Sequence, residues 1–319
     1  MDKIAVLTSG GDSPGMNAAF RAVVRTGITK GLEVYGIEYG YEGLLDEKIR
    51  LLTWRDAGEI LQTGGTVLKT ARCPRFMDDE WVAKAAENLH KRGIEGLVVI
   101  GGDGSYRGAV ELAKHGVKVV GVPATIDNDL GYTDFTIGFD TAVNTVLDAI
   151  TKIRDTSSSH NRITIIEVMG RKCGDIALYA GLGGGAEIIL VPECPMSMEE
   201  ITEKVVERRA SGRTHTIIVK AEGIEIPLHE LETEIEKRTG HKVVSVILSY
   251  IQRGGSPTAQ DRLLASRTAG RAVELLCEGK SSLAVGYRSG EIVAVDLKEA
   301  IEAPNVFPQD IYDLANCLS

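Results

Sequence analysis

The stretch Leu97-Val98-Val99-Ile100-Gly101-Gly102-Asp103-Gly104-Ser105 decides the fold class. Four apolar residues without polar alternation read as a strand buried on both faces, as in a parallel sheet covered by helices. The glycines and aspartate that follow read as the turn into a helix. The same grammar recurs outward in both directions. Strands are predicted over residues 4–8, 34–39, 97–100, 117–121, 163–168, 188–191, 216–221 and 243–250, with helical patterns between them. Ser197-Met198-Glu199-Glu200 has capping-box spacing and opens a helix to about residue 210. Residues 258–278 form a long amphipathic stretch closed by Gly279. This alternation predicts an α/β fold of doubly wound type with mainly parallel sheets. A chain of 319 residues exceeds what one core usually serves, so two domains are expected, with a first break near Gly138.

Composition narrows the function classes. Lys and Arg number 36 against 45 Asp and Glu, giving a formal net charge of -9. Such a balance argues against nucleic acid as the main partner, although local basic sites stay open. No apolar run approaches the roughly 18 residues of a membrane helix, and Met1–Thr8 reads as a strand rather than a signal peptide. Five scattered cysteines without Cys-x-x-Cys spacing point to reduced thiols in a cytoplasm. Glycine is the unusual feature: 36 residues, where average usage is about 7%. They fall in clusters such as Gly10-Gly11, Gly64-Gly65, Gly101-Gly102 and Gly254-Gly255, where backbone turns sharply or lies close to a neighbour.

Three loops after predicted strands carry chemistry. Thr8-Ser9-Gly10-Gly11-Asp12-Ser13-Pro14-Gly15 precedes a helix, where exposed N–H groups suit a phosphate; an ordinary strand-to-helix turn is the alternative. In Gly101-Gly102-Asp103-Gly104-Ser105, a carboxylate beside backbone donors suits Mg²⁺ with a nucleotide, or else Asp103 is a plain helix cap. In Thr125-Ile126-Asp127-Asn128-Asp129, one carboxylate could accept a hydroxyl proton while its neighbour helps to hold a metal. An Asx-rich turn is the alternative there. Arg72, Arg162, Arg171 and Arg253 lie in or beside loops and supply the positive charge that phosphoryl transfer needs.

These motifs, together with segments 7–19, 70–73, 136–140, 153–159, 167–171 and 252–257, resemble the bacterial ATP-dependent 6-phosphofructokinase family along essentially the whole chain. The resemblance implies a glycolytic, allosteric, cytoplasmic homotetramer. It implies transfer of the ATP γ-phosphoryl to the 1-hydroxyl of fructose 6-phosphate, with Mg²⁺ as cofactor. It implies an ATP-binding domain of residues 1–138 with about 251–301, and a sugar-phosphate domain of 139–250 with about 302–319. By position, Asp127 matches the general base, while Thr125, Asp129 and Arg171 complete the catalytic set. Gly11, Arg72, Cys73, Gly102, Asp103, Gly104 and Ser105 match the ATP site, with Asp103 towards Mg²⁺. Arg162 (from a neighbouring subunit), Met169, Gly170, Glu222, Tyr250 and Arg253 join Thr125, Asp127 and Arg171 at the sugar phosphate. Arg21, Arg25, Arg154, Gly185, Glu187, Arg213 and His215 match an effector site for ADP or phosphoenolpyruvate.

The chain also departs from the family pattern. Pyrophosphate-using relatives carry Asp and Lys where this chain has Gly104 and Ala124, so the small residues favour ATP. Val244 stands where an arginine is usual and Tyr250 where a histidine is usual; both normally contact the 6-phosphate. Losing two charge-assisted bonds of ~1.5–3 kcal/mol each predicts weaker fructose 6-phosphate binding or a shifted acceptor. If residues 243–250 form one regular strand, Lys242 shares Val244's face and compensates in part. Trp54 for arginine, Ser211 for a basic residue and Glu59 for aspartate predict altered regulation. The alternatives to fructose 6-phosphate phosphorylation are the same chemistry on another sugar phosphate, or a catalytically weak regulatory paralogue.

Overall fold

The computed structural model describes residues Met1–Ser319 as two compact units. The first comprises Met1–Ile126, Leu130–Thr141 and Arg253–Asn305; the second comprises Asp127–Asp129, Ala142–Gln252 and Val306–Ser319. In chain order the first unit opens with β1 (Lys3–Thr8), α1 (Met16–Thr29), β2 (Glu33–Ile37), α2 (Gly40–Leu45) and β3 (Ile49–Leu51). It continues with α3 (Asp79–His90), β4 (Gly96–Gly101), α4 (Asp103–Lys114), β5 (Lys118–Thr125) and β6 (Ile137–Gly138). Helix α5 (Phe139–Ser159) carries the chain into β7 (Ile163–Val168), α6 (Asp175–Gly183), β8 (Ile188–Leu190), α7 (Met198–Ala210), β9 (Thr216–Ala221), α8 (Leu228–Thr239) and β10 (Val243–Ile247). The last third holds α9 (Ala259–Cys277), β11 (Leu283–Arg288), β12 (Glu291–Asp296), α10 (Leu297–Glu302) and α11 (Gln309–Leu318).

The first sheet has the order β12-β11-β5-β4-β1-β2-β3, with β6 pairing to β5. Its central strands are parallel, and the antiparallel pairs β11–β12 and β2–β3 form its two edges. Side-chain alternation divides the core cleanly. Ile4, Val6, Val98, Ile100, Val120 and Val122 pack with apolar residues of α1 and α9. Ala5, Leu7, Leu97, Val99 and Val119 pack with those of α3, α4 and α10. A strand buried on both faces has no polar side to present, which is why these segments read as unbroken apolar runs. The second sheet is wholly parallel in the order β10-β7-β9-β8, with α7 and α8 over Ile163, Ile165, Ile188, Leu190 and Ile218. The mainly parallel α/β architecture is therefore as expected.

The helix boundaries follow local chemistry. Ser197 and Glu200 form both bonds of the capping box that starts α7. Thr258 caps α9 through the N–H of Asp261, and Gly279 stands beyond its end at φ 77°. Three strand readings need correction, and the one over 117–121 falls short, since β5 runs on through Thr125. The segment read as 34–39 ends at Ile37, because Tyr39 turns left-handed (φ 62°) to start α2. The segment read as 243–250 ends at Ile247, after which Ser249 (φ 45°) opens a 3-10 turn through Arg253. Tyr250 therefore lies outside β10, on the 3-10 turn, while Lys242 directly precedes its first residue.

Gly64 also finds its reason here. A Cβ on Gly64 would stand 2.3 Å from the carbonyl oxygen of Gly255, so two glycine-bearing loops touch through their backbones. Asn17, buried on α1, pins the same loop by donating to Thr63 and Gly64 and accepting from the N–H of Val67. No helix is long and apolar enough to cross a membrane.

Candidate functional site

In the first unit, the expected nucleotide residues collect at the carboxyl ends of β1 and β4, where open α/β sheets place ligands. The N–H of Ser9 donates to the Ile100 carbonyl at 3.0 Å, and the Thr70 hydroxyl donates to the Gly10 carbonyl at 2.8 Å. Three chain segments are thus tied around one end of the sheet. The Arg253 guanidinium lies where a Gly11 side chain would begin, with Nη1 2.7 Å from that Cβ position, and Nη1 donates to the Asp12 carbonyl at 3.1 Å. Gly11 therefore serves this arginine's approach as well as any ligand's.

Helix α4 starts at Asp103 behind Gly102, with no side chain capping it. Its first-turn N–H groups and dipole make a ready anion site. Gly102 lies against Thr125, and a Cβ on Gly104 would meet nothing within 4 Å. Asp103 is half-exposed and paired to Arg107 by two bonds of 3.0 and 3.1 Å. No three His, Cys, Asp or Glu side chains gather as a metal cage. One carboxylate beside open space still fits Mg²⁺ arriving with a nucleotide, because that ion commonly takes one or two carboxylates plus phosphate oxygens. Burial, aided by the nearby Glu42 carboxylate, pushes the Cys73 thiol up to about 11, so it presents a neutral surface. Arg72 is exposed beside it. Ala124 departs from expectation. Its side chain is buried in the apolar core with Ile137, so the openness argument rests on Gly104.

In the second unit, the loop 169–174 joins β7 to α6 and is laced to the end of β9 and to the 3-10 turn after β10. The Arg171 N–H donates to Glu222 Oε1 at 2.8 Å, and the Met169 N–H donates to Gln252 Oε1 at 3.2 Å. Gly170 (φ 135°) occupies a conformation other residues avoid, and its carbonyl accepts from the Cys173 N–H at 2.8 Å. Arg171 itself is left-handed (φ 53°), which aims its guanidinium at Asp127: Nε stands 3.4 Å from Oδ2. The Asp127 side chain is 3% exposed and that of Arg171 67%. The acid is buried and the arginine mostly exposed, so solvent screens the pair from one side and it adds little stability.

Asn128 (φ 54°) donates from Nδ2 to Asp175 Oδ2 at 2.8 Å. Asp175 is buried, and desolvation pushes its carboxyl up to about 6 against the pull of Asn128 and Cys173. The charges of Glu193 and half-buried Asp129 push in the same direction. Sequence reasoning missed Asp175, although Gly174-Asp175 opens a helix as Gly102-Asp103 does.

Other expected residues are placed differently. Tyr250 is 77% exposed on the 3-10 turn, and Val244 is half-buried on β10 opposite Thr164. Arg162 precedes β7, at the far end of the strand from Arg171; six strand residues separate them by about 20 Å. Within one chain it joins no part of the Asp127 cluster. Of the effector set, Arg154 bonds Glu187 at 3.0 Å and the carbonyls of Gly184 and Gly185, with His215 Nε2 at 3.4 Å. Arg213 is exposed on the loop after α7. Arg21 and Arg25 lie on α1 in the first unit, where Arg25 stacks over Trp54 at 4.5 Å.

Charge gathered at strand ends around glycine backbone, with a buried acid beside an exposed arginine, is the equipment of an α/β phosphotransferase. The sequence matches the family model described as Phosphofructokinase over residues 3–276. It is 55% identical to an ATP-dependent 6-phosphofructokinase of Clostridium tetani and 54% identical to that of Clostridium acetobutylicum, each over 100% of both chains. Superposition on the phosphofructokinase structure from Saccharomyces cerevisiae gives a TM-score of 0.92 at 33% identity. That match covers 99% of this chain and 50% of the yeast chain. A pyrophosphate-dependent phosphofructokinase from Marinobacter aquaeolei shares the fold, with a TM-score of 0.86 over 100% of this chain and 91% of its own, at 24% identity. The chain belongs to the phosphofructokinase family.

Proposed function

We propose that the chain is a glycolytic ATP-dependent 6-phosphofructokinase, transferring the γ-phosphoryl of ATP to the 1-hydroxyl of fructose 6-phosphate. The products are fructose 1,6-bisphosphate and ADP. The observation that carries this reading is buried Asp127 with the exposed Arg171 guanidinium 3.4 Å away. Asp127 accepts the proton of the attacking hydroxyl at a carboxylate oxygen, a role worth about 10²–10⁴ in rate. Arg171 swings from Asp127 to the transferring phosphoryl and stabilises its charge, and Thr125 supplies a hydroxyl donor. Gly11, Gly102 and the first turn of α4 take the polyphosphate on backbone N–H groups, flanked by Arg72 and Cys73. Asp103 would hold Mg²⁺, which would neutralise phosphate charge. Met169, Gly170, Glu222 and Arg253 orient the sugar phosphate, and Arg162 of a neighbouring subunit completes that site in a homotetramer. Full-length relatives that are named ATP-dependent support ATP as donor.

A coupled ADP-release assay on the purified chain tests this reading, with ³¹P NMR of the product. Release no faster with fructose 6-phosphate than without an acceptor would reject it. Donor choice gives a second expected result. Gly104→Asp folds normally, since its Cβ enters open space, but raises the KM for ATP by about tenfold or more through charge repulsion worth ~1.4 kcal/mol. An unchanged KM would remove Gly104 from the ATP site.

Acceptor binding gives a third. Val244→Arg with Tyr250→His is expected to lower the KM for fructose 6-phosphate by about tenfold or more. An already micromolar KM that neither change improves would show that other residues supply the phosphate contacts. The effector residues support a regulatory site whose response is altered, because Trp54 covers Arg25 where a second arginine is usual.

A further inference from the structure

We propose that Asp175 is a positioning residue for phosphoryl transfer: acting through Asn128, it sets the direction of Asp127. The inference rests on the reading of Asp127 as acceptor of the hydroxyl proton. The loop from β7 to α6 grips the 127–129 segment at two consecutive residues. At one end of the loop Arg171 stands 3.4 Å from Asp127, and at the other Asp175 accepts from Asn128 at 2.8 Å. The arginine side chain is 67% exposed, which makes it a weak fixture for the acid. The fixed point is Asp175, buried at the first position of α6.

Several bonds hold that point in turn. The Cys173 N–H donates to Gly170, and the Gly174 N–H donates to Glu193 Oε1 at 2.8 Å. Asn128 is left-handed (φ 54°), a conformation that Asn adopts more readily than most residues, and the bond to Asp175 holds its side chain there. A residue with φ of that sign redirects the chain on both sides, so its conformation aims Asp127 before it and Asp129 after it. Burial of a carboxylate where desolvation disfavours its charge fits a role other than stability.

The test compares Asp175→Ala, Asp175→Asn, Asn128→Gly and the double variant Asp175→Ala/Asn128→Gly in the full-length enzyme. Steady-state kinetics with ATP and fructose 6-phosphate are read beside circular dichroism. Asp175→Ala and Asn128→Gly are each expected to lower kcat by about 10- to 100-fold, as misplacement of a reacting group by about 1 Å does. The KM for ATP should stay within about twofold. Asp175→Asn, which keeps an oxygen for Asn128, recovers about tenfold of that loss. The double variant is no slower than either single one, because both changes break one contact.

Losses that multiply in the double variant would overturn the proposal, as would folded single variants with unchanged kcat or losses confined to KM. Glycine adopts the backbone of residue 128 without strain, so Asn128→Gly decides the matter if Asp175→Ala does not fold. Wild-type activity on fructose 6-phosphate reports on the proposed function, whereas the ratios among variants report on Asp175, so the two can fail separately.

Discussion

Asp127→Asn is expected to lower kcat by about 10²–10⁴ while leaving the KM for ATP within about twofold. The substituted side chain is isosteric, and its amide oxygen can still face the Arg171 guanidinium, so the loop keeps its place. What disappears is the basic oxygen that takes a proton from the sugar hydroxyl as the O–P bond forms. None of the backbone donors assigned to ATP is changed, which is why the effect falls on turnover. Asp127→Ala should be no slower by more than about threefold, since either change removes the same proton acceptor. Steady-state rates with both substrates saturating decide it. Retention of more than about a tenth of wild-type kcat would exclude Asp127 as the base.

The loops bearing this chemistry were legible because they interrupt apolar strands with residues that strands reject. Gly101-Gly102-Asp103 and Thr125–Asp129 needed no tertiary information to be singled out. What escaped was whatever depends on a partner distant in sequence. Gly64 stands out in the sequence without a reason, and that reason is the backbone of Gly255. Asp175 looked like an ordinary helix start until Asn128 was found 2.8 Å away. The run 243–250 carried strand composition throughout, but the Leu248 N–H bonds to the Glu167 carbonyl and Ser249 turns left-handed, so pairing stops. The edge strand β12, with its mixed exposure along Glu291–Asp296, lacks the apolar run that marks a central strand.

The second large effect concerns stability and pH at Asp261. This aspartate, buried on α9, accepts from the N–H of Gly138 at 2.8 Å, the N–H of Thr141 at 2.9 Å and the Thr141 hydroxyl at 2.5 Å. Burial nevertheless outweighs those bonds, and with the charge of Asp140 nearby the carboxyl rises from 3.8 to about 6. The folded state thus binds this proton more tightly than the unfolded chain does. The stabilisation is fully present below the unfolded value and is lost as pH rises through about 6. Two pH units at 1.36 kcal/mol each make the loss about 3 kcal/mol.

Asp261→Asn cannot titrate, but it turns an NH₂ group toward backbone donors, which costs about 1–3 kcal/mol at any pH. Wild type should therefore exceed the variant in stability at pH 4.5. That gap should shrink by about 2–3 kcal/mol, or reverse, by pH 8. Urea unfolding across this range measures it, and taking the difference between the two proteins cancels carboxylates common to both, Asp175 included. The chain's two tryptophans, Trp54 and Trp81, both lie in the first unit with Asp261, so their fluorescence follows the relevant transition even where the second unit unfolds separately. A gap constant to within about 0.5 kcal/mol would mean that ionised Asp261 is held without strain, its three donors fully offsetting burial.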